Sequence, residues 1–162
     1  MGDRAVITTE DKDLGLYLHW DGERRYVDGF LAFCKAMDYR PPEDDDYGWA
    51  RLSQTVMNCG NLMKLCQIVS NWFGEDGCSV GINKYSELDT KNGDNGVYVI
   101  SDWKIVKRMY NYGEGTKVIS ESDLIDMLRA INERQPAHSQ LSDDAIIKAA
   151  KDYIAQYDED VK

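Results

Sequence analysis

The sequence RAVITTEDKDLGLYLHWDG, residues 4–22, predicts the first structural element of the fold. Two runs rich in β-branched and aromatic residues, 4–9 and 16–20, flank the polar residues 10–13. This pattern is typical of a β-hairpin, because alternating side chains face opposite sides of each strand and a polar segment forms the turn. The second predicted strand ends in His19 and Trp20, and Asp21 follows it directly.

Helices are predicted where apolar residues recur at spacings of three and four. One helix is expected over 25–39, ended by two prolines. A longer helical stretch over 47–73 is interrupted near Gly60, where a kink or two successive helices are expected. Two more helices are expected in the C-terminal third, on either side of Pro136.

Three further strands are predicted over 78–83, 96–100 and 104–110. We therefore predict an α+β fold, in which an antiparallel sheet of about five strands packs against helices inserted after strand two and at the C-terminus, in the order ββααβββαα. The chain, 1–162, is predicted to form a single domain, with sheet and inserted helices over 1–115 and a helical extension over 116–162. The predicted core residues are Ile7, Leu16, Leu18, Phe30, Phe33, Leu52, Val56, Leu62, Val69, Val80, Ile82, Val99, Leu128 and Ile147.

The chain is acidic, with 29 Asp and Glu against 19 Lys and Arg and a net charge of −10. Direct binding of nucleic acid is disfavoured, because it needs a cationic face to neutralise phosphates. An acidic surface suits a basic protein partner, or serves solubility alone. No apolar run is long enough to span a membrane and no basic-then-apolar leader is present, which predicts a cytoplasmic protein.

The cysteines and glycines predict neither a metal site nor a cofactor. Four cysteines occur without a C-x-x-C pair, and His19 and His138 are the two histidines of the chain. These spacings favour buried, reduced thiols over a zinc site. The glycines form no phosphate-binding loop and no nucleophile elbow, so no catalytic residue is predicted.

An acidic loop, Glu43, Asp44, Asp45 and Asp46, lies between the two inserted helices. Its carboxylates could bind calcium, form a charged surface for a partner, or stabilise the start of the following helix through its dipole. A hand-type calcium loop needs spaced ligands and a central glycine, which this run lacks. The partner hypothesis adds two aromatic residues, Tyr47 and Trp49, with Trp49 acting as an anchor if it is exposed.

The end of the first hairpin supports a second hypothesis, a small-molecule or nucleotide site. His19 and Asp21 would face the same way on a continued strand, so the carboxylate could orient the imidazole. Trp20, Arg51 and Asn71 are the other expected members of such a site. The structural alternative is a strand-end histidine bonded to a turn carboxylate.

Several motifs resemble a family of small proteins of bacteriophages, plasmids and conjugative elements of Gram-positive bacteria. The motifs are MGxRAxI at 1–7, LYLHWDG at 16–22, YGWARL at 47–52, SVGI at 79–82 and DNGVYVIxDWKIV at 94–106. The resemblance covers the first two-thirds of the chain and carries over no catalytic residues. It implies an accessory protein acting in a bacterial host, for example a non-enzymatic inhibitor of a defence nuclease such as a CRISPR effector.

Overall fold

A computed structural model describes residues 2–60, 62, 80–112 and 117–159. The described elements are β1 Ala5–Thr9, β2 Leu14–Leu18, α1 Arg24–Ala36, α2 Asp46–Cys59, β3 Val80–Lys84, β4 Val97–Ser101, β5 Lys104–Met109, α3 Glu121–Glu133 and α4 Asp143–Glu159. Short 3₁₀ turns occur at Tyr85–Glu87 and Ala137–Ser139. The fold class is α+β, as the sequence predicts. No helix among these residues is both long and apolar enough to cross a membrane.

The five strands form one mixed sheet in the order β3-β2-β1-β4-β5. Three of the strand pairs are antiparallel, but β1 and β4 are parallel, so the prediction of a purely antiparallel sheet is wrong. The cause is the connection over 85–96, which carries the chain from β3 past β2 and β1 and returns it to the end of the sheet where β1 begins. A connection of that length is a crossover, not a hairpin, and it allows parallel pairing.

The two faces of the sheet have different covers. Alternate side chains, including Ile7, Leu16 and Tyr98, belong to the main core together with residues of α1, α2, α3 and α4. On the other face, Val6 and Val97 belong to a small buried cluster. Tyr85 and Leu88 of the 85–96 connection pack against this cluster, as do Tyr17 and Met109 of the adjoining strands. α1 is central to the main core, since it contacts α2, α3 and α4 as well as β5.

Most of the predicted core residues are buried, and two are exposed. The confirmed ones are Ile7, Leu16, Leu18, Phe30, Phe33, Leu52, Val56, Val99 and Leu128. Ile82 is 47% exposed because β3 is an edge strand, and Ile147 is 40% exposed because its neighbour Ile146 occupies the inward position of α4. Leu62 and Val80 are half-buried against the core. The prediction for Val69 lies outside the described residues.

Helix α2 ends at Cys59, and Gly60 follows with a φ of 62°. This left-handed conformation favours glycine and stops the helix, in line with the interruption expected near Gly60. The predicted continuation to residue 73 lies outside the described residues, as do Cys66, Cys78 and Asn71.

Candidate functional site

Carboxylates from two separate segments converge on one crevice of about 160 Å³. One segment is the turn between β1 and β2, and the other is the loop between α1 and α2. We name their side chains together the acidic surface: Asp11, Asp13, Glu43, Asp44, Asp45 and Asp46. The four loop residues were candidates from sequence, whereas Asp11 and Asp13 appeared there only as a polar turn.

Helix α1 ends at Ala36, and Asp38 follows with a φ of 57°, so the helix stops before the two prolines that were expected to end it near residue 39. The loop after these prolines leads into α2. Asp45 is the N-cap of that helix, and its Oδ1 accepts a hydrogen bond of 2.9 Å from the backbone N–H of Tyr47. Arg40 pairs with the same carboxylate at 2.7 Å. Gly48 lets the loop approach closely, because a Cβ there would lie 2.5 Å from the backbone nitrogen of Pro42. Asp45 therefore caps α2 through a hydrogen bond, in addition to the dipole effect that the sequence predicted for the acidic run.

Glu43 fixes the loop to the sheet. Its carboxylate accepts hydrogen bonds of 2.9 and 3.2 Å from the backbone N–H of Asp102, in the turn between β4 and β5. Lys35 of α1 pairs with the Asp102 carboxylate at 3.1 Å. These contacts join the loop to the turn between β4 and β5 and join that turn to the end of α1. The sheet and α1 therefore fix the position of the loop carboxylates.

The turn between β1 and β2 is fixed by Asp11. Its Oδ1 accepts hydrogen bonds from the Thr9 hydroxyl at 2.6 Å and from the Asp13 backbone N–H at 3.0 Å. The two bonds, the Thr9 hydroxyl first, lower the pKa of Asp11 below its ordinary value. Asp11 therefore remains an anion at neutral pH.

The carboxylates of Asp13, Asp44 and Asp46 form no hydrogen bond or ion pair with any residue that the structure describes. Asp44 and Asp46 are exposed, as is Asp13. Among all the residues that the structure describes, no group of three or more histidine, cysteine or acidic side chains is arranged to hold a metal ion. What the acidic surface offers chemically is a concentrated negative potential at one end of α1.

The two aromatic candidates beside the loop differ in exposure. Tyr47 is 63% exposed, and the guanidinium of Arg40 lies 5.0 Å from the centre of its ring. Trp49 is only 5% exposed and belongs to the main core, so its expected role as an exposed anchor is wrong. Tyr47 and Trp49 are two positions apart, which is about 200° around α2, so Tyr47 faces outward and Trp49 faces inward.

His19, Trp20 and Asp21 lie in the connection between β2 and α1. β2 ends at Leu18, so the strand geometry that would have placed His19 and Asp21 on one face does not extend to them. A hydrogen bond of 3.1 Å joins His19 Nδ1 to the Tyr17 hydroxyl, whereas Asp21 is fully buried and its Oδ2 accepts from the Leu62 backbone N–H at 3.0 Å. Trp20 is also buried.

Backbone contacts explain why this connection looks specialised in the sequence. The backbone N–H of Asp3 donates to the His19 carbonyl, and the backbone carbonyl of Asp3 accepts from the Gly22 N–H. The Tyr98 hydroxyl donates to the Gly22 carbonyl at 2.7 Å. Asp21 itself adopts a φ of 58°. These residues hold the start of α1 against β1 and β4, which is a structural role.

Arg51 is on the exposed side of α2 and is not among the contacts of His19, Trp20 or Asp21. Its guanidinium lies 5.3 Å from the centre of the Tyr39 ring and donates to Gln54 at 3.1 Å. Asn71 lies outside the described residues. The functional assignment therefore depends on the geometry of the acidic surface, since no protein-family model, no curated protein and no solved structure matches the chain.

Proposed function

We propose that this chain is a non-enzymatic binding protein that docks its acidic surface on the cationic surface of a nucleic-acid-binding protein. The partner class that fits best is a host defence nuclease such as a CRISPR effector, whose activity the docked protein would block. The observation that carries the proposal is the convergence of six carboxylates on one crevice from two separate segments.

The charges of this surface support attraction of a basic partner. Arg40 pairs with Asp45, but Asp13, Asp44 and Asp46 have no cationic partner among the described residues. A cluster of one sign raises the local potential and speeds the encounter with a complementary surface. Effector nucleases hold nucleic acid in positively charged channels, which is the complement that a concentrated acidic surface needs.

Tyr47 supplies an aromatic contact at the edge of the acidic surface. Its ring is mostly exposed, and Arg40 lies against it. Tyrosine and arginine are enriched among the residues that carry most of the energy of protein interfaces. In this proposal the carboxylates attract the partner and Tyr47 slows its release.

The motif resemblance to small proteins of phages and conjugative elements supports a role in counteracting host defence in the bacterial cytoplasm. The net charge of −10 supports a protein partner over direct binding of nucleic acid. No cofactor is part of the proposal.

The test is co-purification of the tagged chain with purified CRISPR effector nucleases at about 0.05 M and about 0.5 M salt. The variant Asp13→Asn/Asp44→Asn/Asp46→Asn removes three carboxylates and keeps the Asp45 cap. The matched control, Glu121→Gln/Glu133→Gln/Asp144→Asn, removes the same charge from exposed positions on α3 and α4. We expect the wild type and the control to retain an effector at low salt and the first variant to lose it. Failure of the wild type to retain any effector at low salt contradicts the proposal.

A further inference from the structure

A cavity of about 440 Å³ opens beside the start of α1, at the other end of that helix from the acidic surface. Four cationic side chains from three segments line it: Arg24, Arg25, Arg108 and Lys117. Such a concentration of positive charge is unexpected in a chain with a net charge of −10. The volume lies within the range of small-molecule sites.

Two of the cations are held in place by the core. The side chain of Arg24 is 10% exposed and pairs with the buried Asp28 at 3.3 Å. Arg108 of β5 lies over the Tyr98 ring at 3.9 Å and donates to the Asn95 carbonyl at 2.9 Å. Burial lowers the pKa of Arg108, and the nearby charge of Arg24 lowers it further. The fold therefore keeps two like charges close together at this cavity.

The other two cations form its outer part. Arg25 is about half exposed and pairs with Glu23 at 3.1 Å. Lys117 is exposed and makes no hydrogen bond or ion pair with a described residue. Their side chains are long, and they can close on a ligand without rearrangement of the core.

The carboxylates around the cavity offset only part of its positive charge, because Asp28 pairs with Arg24 and Glu23 pairs with Arg25. Glu23 is the one acidic residue among the described lining residues, and it faces four cations. Asp3 and Asp28 lie nearby but do not line the cavity. Asp3 accepts from the Asn95 side chain and the Glu23 N–H, and Asp28 accepts from Tyr153 and Ile119.

The helix start adds to this potential. The N-terminal turn of α1 carries two arginines and no acidic residue. The partial positive charge of a helix N-terminus therefore coincides with four cationic side chains, an arrangement that favours a bound anion.

We propose that this cavity binds the phosphate groups of a small phosphorylated molecule, with Arg24 and Arg108 as its fixed contacts and Arg25 and Lys117 as its closing contacts. Guanidinium groups form paired hydrogen bonds with phosphate oxygens, and lysine adds a mobile point charge. The site is about 20 Å along α1 from the acidic surface, so it is independent of the proposed protein partner.

The experiment is calorimetric titration of the full chain with inorganic pyrophosphate at about 0.15 M salt, where distant charges are screened. The test variant is Arg25→Gln/Lys117→Gln, which leaves the buried contacts of Arg24 and Arg108 intact. Its matched control is Lys84→Gln/Lys151→Gln, two exposed lysines outside the cavity. We expect the test variant to weaken pyrophosphate binding by about tenfold or more, and the control to bind as the wild type does.

Three further measurements sharpen the result. Lys117→Gln alone changes one exposed side chain outside the helices, and we expect it to weaken binding by about threefold. The variant Asp13→Asn/Asp44→Asn/Asp46→Asn should bind pyrophosphate as the wild type does, whether or not the proposed partner interaction exists. A single-stranded oligonucleotide that binds more tightly than pyrophosphate and is lost in the test variant would assign the cavity to a nucleic-acid backbone and overturn the proposal. So would absence of wild-type binding up to about 5 mM pyrophosphate, or equal binding by test and control variants.

Discussion

The replacement Tyr153→Phe tests the hydrogen bonds that join α4 to α1 and the sheet. The Tyr153 hydroxyl donates to Asp28 at 2.5 Å, and a second hydrogen bond of 2.8 Å joins it to the Tyr157 hydroxyl. Tyr157 in turn accepts from the Ile105 backbone N–H at 2.9 Å. Tyr153 and Asp28 are buried, so no bulk water reaches Asp28 to replace the hydrogen bond that the missing hydroxyl donated.

The expected loss of stability follows from these contacts. The phenyl ring retains the packing of Tyr153, so the variant loses one hydrogen bond to a charged acceptor and one between neutral groups. Together these correspond to about 2–3 kcal/mol in the free energy of unfolding. For a chain of this size, that lowers Tm by about 5–10 °C.

The loss depends on pH with a definite sign. Burial raises the pKa of Asp28 above its ordinary value of 3.8, and the charges and donors of Arg24 and Tyr153 oppose that rise. The folded state therefore holds the Asp28 proton more tightly than the unfolded chain does. The contribution of this group to stability is greatest below pH 3.8 and falls as the pH rises through the raised folded pKa. Without the Tyr153 hydroxyl the folded pKa rises further, so the variant loses more stability at pH 7 than at pH 4.

The assay is urea unfolding followed by circular dichroism at both pH values. The control is Tyr112→Phe, which changes an exposed tyrosine and should stay within about 0.5 kcal/mol of the wild type. A loss below about 0.5 kcal/mol for Tyr153→Phe at pH 7, or a larger loss at pH 4 than at pH 7, refutes this account of the network.

Three other outcomes are expected. Phe33→Ala removes a fully buried ring of α1 and should lower the free energy of unfolding by about 3–5 kcal/mol in urea, whereas near-wild-type stability would refute the packing. Asp45→Ala removes the N-cap of α2 and should cost about 1 kcal/mol, measured by thermal unfolding; no change would mean that the cap hydrogen bond contributes nothing. Burial raises the pKa of the Cys34 thiol to about 12, so the Cys34 peptide should stay unmodified by iodoacetamide at pH 8 until the chain is unfolded, and rapid native labelling would contradict that burial.

Local patterns in the sequence predicted much of the secondary structure. The first hairpin, α1 and the strands β4 and β5 follow from periodicity and turn residues, which depend on neighbours along the chain. The parallel pairing of β1 with β4 could not be predicted this way, because it depends on the path of the 85–96 connection across the sheet. Ile147 was predicted to be in the core, but Ile146 is the buried residue. Neighbouring residues are about 100° apart around a helix, so an error of one position in the predicted face selects the wrong residue.

The candidate sites were harder to predict for a related reason. The acidic loop was visible because its carboxylates are consecutive, but Asp11 and Asp13 join it only through the fold. The cationic cavity combines Arg24 with Arg108 and Lys117, which lie far from Arg24 in the sequence and carry no motif. Tyr47 and Trp49 look equivalent in sequence, and the orientation of α2 separates them.

The most direct test of the acidic surface is the rate at which the chain associates with an immobilised CRISPR effector nuclease, measured at about 0.05 M and about 0.5 M salt. For Asp13→Asn/Asp44→Asn/Asp46→Asn, we expect association about tenfold slower than the wild type at low salt, with a much smaller difference at high salt and little change in dissociation. The control on α3 and α4 should associate nearly as fast as the wild type. An association rate unchanged in the first variant at low salt contradicts the claim that this surface guides the chain to its partner.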